Sequence, residues 1–156
     1  MITNKSEHSV LLSRRLTLSF LLISNVFFIF LNSLMPAEVS SENSQSIYDF
    51  LLKFFGFIPF FTHTFLRKTA HFVEYALLGF LAFLSVGVFF KGRKLAIPAL
   101  FAFGLGIAAF DETLQIFSPG RVCSVRDCFI DLMGFIFGLL LSFLFQVLKN
   151  RRRRAL

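Results

Sequence analysis

Acid is scarce in this sequence: nine Asp and Glu stand against 16 Lys and Arg in 156 residues. Charges of both signs together make up only 16% of the chain, too few to clothe a water-facing globule of this size. Cysteine occurs twice, at Cys123 and Cys128, in one connecting segment. Two cysteines exclude a disulfide-built scaffold and a cysteine cage for zinc. A single Cys123–Cys128 disulfide stays open if that segment faces an oxidising compartment; the other reading is two unpaired small residues near a helix start. No HExxH motif is present, no internal repeat suggests inverted transporter halves, and no aromatic-interleaved basic face accompanies the positive charge, which excludes nucleic acid as the partner.

What is abundant is apolar. Hydrophobic residues form 56% of the chain and phenylalanine alone contributes 25, with a mean hydropathy of +0.74. Membrane lipid is the solvent that suits such a chain. The excess charge gathers in Arg14-Arg15, in Lys91/Arg93/Lys94 and in the tail Lys149 with Arg151 to Arg154. Each cluster abuts a long apolar run, as juxtamembrane anchors do.

Four runs are long enough to cross a core of about 30 Å as helices of about 20 residues: roughly 16–35, 71–90, 95–117 and 129–148. The first is too long for a signal peptide and lacks an A-x-A-like site. Between spans one and two, "AEVSSENSQS" reads as a polar stretch. "IYDFLLKFFGFIPFF" then reads as a helix lying in the interface, with Asp49 and Lys53 four apart and Pro59 ending it. The expected architecture is therefore all-α, a four-helix membrane bundle with one interfacial helix between the first and second spans. The expected organisation is a tail over 1–15, a membrane domain over 16–148 and a basic tail over 149–156.

The N-terminus, the 91–94 loop and the C-terminal tail hold eleven Lys and Arg, the opposite side five. The positive-inside rule puts both termini in the cytoplasm of a cell bounded by this membrane. Eight of the nine acids, all but Glu7, then fall toward the outer side. Helix rise places Glu74 and Asp111 about 24 Å, and Asp131 about 26 Å, above the inner boundary. Three spans thus bring carboxylates to one layer.

The faces agree with the depths. Lys68, His71 and Tyr75 fall at i, i+3 and i+7 with Glu74 beside them, and Asp111, Glu112 and Gln115 lie within one turn. Asp127, Asp131, Gly134 and Gly138 follow at i, i+4, i+7 and i+11, acids above and small residues below, where a neighbouring helix can approach closely. "SPGR" (118–121) suits a type II turn that sets Arg121 at the layer, where a guanidinium can bind carboxylate or phosphate bidentately.

Taken together, "RKTAHFVEYALLGF", "DETLQIFSPGR" and "SVRDCFIDLMG" resemble the VanZ-like family of small membrane proteins. The resemblance covers roughly residues 67–138, with Asn32-Ser33 as a faint addition. It matches at Lys68, His71, Glu74, Tyr75, Asp111, Glu112, Gln115, Arg121, Ser124 and Asp127. It departs at Asp131, where the family usually has asparagine. It implies a location in the bacterial cytoplasmic membrane and a link to low-level resistance to the glycopeptide teicoplanin; it names no cofactor.

Three readings of the layer follow. In the first it is a membrane enzyme acting on an anionic lipid or lipid-linked cell-wall precursor. His71, Glu74, Asp111, Glu112 and Asp127 are then the catalytic candidates, His71 as acid or base, and Lys68, Tyr75, Gln115, Arg121, Ser124 and Asp131 bind substrate. A variant of this reading sets His71, Glu74 and acids from Asp111, Glu112, Asp127 or Asp131 around a divalent ion; H-x-x-E spacing alone does not specify one. In the second, the pocket binds or transports a lipid or an amphiphilic drug without chemistry. In the third, the polar groups hold the helices in register.

Overall fold

The computed structural model describes residues 2–56, 62–89 and 96–154. Among these residues every regular element is a helix: α1 Ile2–Leu34, α2 Ala37–Phe55, α3 His63–Phe89, α4 Ala96–Gln115 and α5 Val125–Arg154. Four carry membrane-crossing segments, His8–Leu34, Thr64–Gly87, Ala96–Gln115 and Val125–Arg154. The helices overrun the apolar windows read from sequence because main-chain hydrogen bonding continues into the polar residues at their ends. Arg67 and Lys68 consequently lie on α3 itself. The basic residues Arg151 to Arg154 form the last turn of α5, where positive charge suits the helix dipole. Lys91, Arg93, Lys94 and Pro59 lie outside the described residues.

The stretch expected to be merely polar is helical. α2 begins at Ala37, right after Pro36, whose φ of −53° and ψ of 145° hold it outside the helix. The serines stay in the helix by bonding backward: Ser44 Oγ donates to Ser40 O and Ser46 Oγ to Glu42 O, each at 2.9 Å. α2 ends at Gly56, whose φ of 73° with ψ of −172° is a backbone conformation open to glycine, and whose N–H reaches Leu52 O. Polar in its first half and apolar in its second, this is the interfacial element between the first two spans.

The inner core is small: Ile29, Tyr75, Leu78, Ala82, Leu100, Ala108 and Phe135. Large apolar side chains such as Phe20, Phe27, Val73, Phe129 and Leu140 face outward. That arrangement suits lipid, which removes the hydrophobic drive to hide them and leaves close packing to hold the helices together. The most extensive helix pair is α3 with α5, and its seam is lined with glycine. A Cβ on Gly138 would strike the Ala76 carbonyl oxygen, one on Gly134 that of Phe72, and one on Gly79 that of Phe135. The small-residue stripe read on α5 is thus where α3 presses closest.

Candidate functional site

The seam's outer end is the site's foundation. His71 precedes Phe72, and Asp131 sits one turn before Gly134, so the contact that joins the two helices also sets these side chains opposite each other. α4 adds Asp111. One ligand-capable atom from each of His71, Asp111 and Asp131 lies within 4.8 Å of the others. The layer expected from helix rise is thus a convergence of three helices. Asp111, Asp131, Glu112 and Tyr75 are all buried, at 0%, 2%, 3% and 0% exposure.

The corner between α4 and α5 builds the roof. Ser118-Pro119-Gly120-Arg121 forms the expected turn: Gly120 has φ 74°, and Arg121 N donates to Ser118 O at 3.2 Å. Two bonds pin this corner to the α1–α2 junction, Ser118 Oγ to Leu34 O at 2.9 Å and Ala37 N to Pro119 O at 3.0 Å. Arg121 is left half-buried over the layer, its Nε without a partner. Burial first, and then the neighbouring charge of Arg67, push its pKa down, while Asp111, Glu112 and Glu74 pull it up. A guanidinium nonetheless stays charged at any working pH.

Ser124 caps α5. Its carbonyl and Oγ receive Asp127 N at 3.0 and 3.3 Å. In a capping box the third helical residue would return a bond to the cap's own N–H. Here Glu112 of α4 takes that N–H instead, Oε2 accepting at 2.6 Å, while its Oε1 accepts from Gln115 at 3.1 Å. Asp127 is thereby released to pair with Lys68 of α3 at 2.6 Å. Glu112, Gln115, Ser124, Asp127 and Lys68 form a closed network tying α3, α4 and α5.

The remaining groups are not closed. Asn32 Nδ2 donates to Glu74 Oε1 at 2.7 Å, and Ser33 Oγ donates to Asp111 Oδ1. Glu74 therefore leans on α1 through Asn32. His71 Nδ1, Glu74 Oε2, Tyr75 Oη, Asp111 Oδ2, Asp131 Oδ2 and Arg121 Nε are all buried atoms with no hydrogen-bond partner. Buried polar atoms are ordinarily paired, by protein or by water. Six such atoms gather around this layer without a partner from the described side chains.

A cavity of about 260 Å³ opens beside them, lined among others by Arg67, Lys68, His71, Glu112, Gln115, Arg121, Asp127 and Asp131. Eight of the eleven residues singled out in the sequence border it or belong to the closed network. Glu74, Tyr75 and Asp111 stand just behind its wall. Arg67 and Ala37 line it without having been singled out, and Asn32 and Ser33 proved to be direct partners of its acids. The signal for that pair was two polar residues inside the last turn of an apolar span. Cys123 and Cys128 are both free thiols.

A family model described as VanZ/LLP1 matches residues 18–146, which hold every residue of this site. Comparison with curated proteins and with solved structures finds no match. The three motifs converge in space as their order along the chain required, and the model spans most of the sequence: the chain belongs to the VanZ/LLP1 family, as a multi-pass membrane protein.

Proposed function

We propose that the chain is a membrane enzyme that takes the anionic head group of a lipid, or of a lipid-linked cell-envelope precursor, into this cavity at the outer face of the bacterial cytoplasmic membrane. The observation that supports it is the division of charge around the cavity. Arg67, Lys68 and Arg121 supply cations that are partly exposed, while Asp131 and Glu112 are buried deeper along the same wall. Guanidinium and ammonium groups suit a phosphate or carboxylate. Below them, His71 and the unpaired oxygens of Glu74 and Asp111 offer sites where a proton can be given or taken. The outward orientation rests on eleven Lys and Arg at the opposite side against five at this one. A family link to teicoplanin resistance fits an envelope precursor as substrate.

Binding without turnover is the second reading, and one observation favours it. Two acids assigned to catalysis are drawn into the closed network, Glu112 through both oxygens and Asp127 through Oδ1. A purely structural role fits less well, since registry needs paired groups and six atoms here have no partner.

Mass spectrometry of membrane lipids and lipid-linked precursors separates these readings, in cells carrying wild-type protein, no protein or His71→Ala. A species that accumulates in both the null and the variant, with a matching product lost, identifies an enzyme and its substrate. An unchanged profile, with the variant present in the membrane at wild-type level, refutes turnover and leaves binding.

A further inference from the structure

His71, Asp111 and Asp131 meet in a manner that acid–base chemistry alone does not require. Their ligand-capable atoms lie within 4.8 Å of one another, so a common point exists no farther than about 2.8 Å from each. Bonds from a first-row divalent ion to imidazole nitrogen or carboxylate oxygen run about 2.0–2.2 Å, a closing of at most about 0.6–0.8 Å per side chain. Asp111 and Asp131 are almost wholly buried, and each has an oxygen without a partner, as does His71 at Nδ1. Ser33 holds the other oxygen of Asp111 from behind, as outer partners do for metal-ligating carboxylates. His71 and Asp131 also line the cavity, so a coordination position faces the space where a head group would sit.

Two buried carboxylates at this separation repel if both are ionised. Lys68 is committed to Asp127, and Arg121, whose charge Asp111 does feel, is shared with Glu112 and Glu74, so the carboxylate pair has no cation reserved to it. We propose that His71, Asp111 and Asp131 form a binding site for one divalent transition-metal ion, of the manganese or zinc type. One imidazole with two carboxylates suits those ions better than calcium or magnesium, which favour all-oxygen shells. The site stands whether or not a head group is turned over beside it. With an ion bound, His71 is a ligand, and Glu74 Oε2 is the nearby unpartnered oxygen free to handle a proton.

The test uses the full chain in nanodiscs of zwitterionic phosphatidylcholine, stripped with chelator and titrated with Mn²⁺ while free Mn²⁺ is followed by electron paramagnetic resonance. Wild-type protein is expected to take up one equivalent, which Zn²⁺ displaces. Asp131→Asn keeps the side chain's shape and is expected to weaken binding at least tenfold. Asp49→Asn, on exposed α2, is expected to bind as wild type does. No uptake by wild-type protein, or equal uptake by Asp131→Asn, overturns the site. Because lipid turnover is not read, failure here leaves the head-group proposal standing, and failure of that proposal leaves this one.

Discussion

Asp111 and Glu112 are neighbours on α4, and Asp127 and Asp131 lie one turn apart on α5, yet the members of each pair live differently. Glu112 has both oxygens engaged, by the amide of the α5 cap and the Gln115 side chain, and Asp127 has Oδ1 paired with the Lys68 ammonium. Asp111 and Asp131 each keep a buried oxygen without a partner. Adjacent acids at one depth are therefore not equivalent. The first two tie helices together, and the second two each leave an oxygen's accepting capacity unspent within the chain. A carboxylate's place in a motif does not tell which kind it is; its hydrogen bonds do.

The sharpest way to break this comparison is to remove what both groups stand on. Gly138→Val drives a side chain into the Ala76 carbonyl and is expected to cost about 3 kcal/mol or more, since main chain cannot step aside as a side chain can. Loss of monodisperse protein on size exclusion after extraction reads it. If the variant behaves as wild type, the glycine seam is not what aligns His71 with Asp131.

The next variants separate the two groups. His71→Ala is expected to lower any turnover about 10²- to 10⁴-fold, with accumulation and melting unchanged, because no hydrogen bond to its Nδ1 is lost. Glu112→Gln is expected to do the reverse. An amide has one acceptor oxygen where Glu112 uses two, so a donor would face a donor, at about 1–3 kcal/mol; a lowered melting temperature in detergent shows it. A variant of Glu112 that melts normally and has lost only activity would return this residue to the catalytic set.

The smallest effect is expected at Lys68→Met. Its pair with Asp127 is about one-third exposed on both sides, and such bridges contribute about 0–1 kcal/mol. Melting should hardly move, while affinity for an anionic amphiphile falls. Equal affinity in Lys68→Met and wild type would place the anion elsewhere.

Much of this was legible in the sequence because membrane spans obey one-dimensional rules. Hydropathy located the four crossings, helix rise placed Glu74, Asp111 and Asp131 at one depth, and Gly134 and Gly138 marked the close face. Pro119-Gly120 announced its turn. The polar start of α2 was not legible: serines that avoid helices in isolation are held there by bonds to their own preceding turn. Nor was the division between engaged and free acids, because the partners come from far along the chain. Asn32 reaches Glu74 across 42 positions and Ser33 reaches Asp111 across 78. No local pattern encodes such a meeting.

The two pins between the α1–α2 junction and the α4–α5 corner carry a last consequence. Ala37 N to Pro119 O is main chain to main chain, and Ser118 holds the carbonyl of Leu34 beside it. A doorway framed by flexible side chains adjusts to its visitor; one whose lintel is clamped to its post does not. Ala37 and Gly120 both line the cavity, so on that side its width is set by bond lengths rather than by side chains that can turn aside.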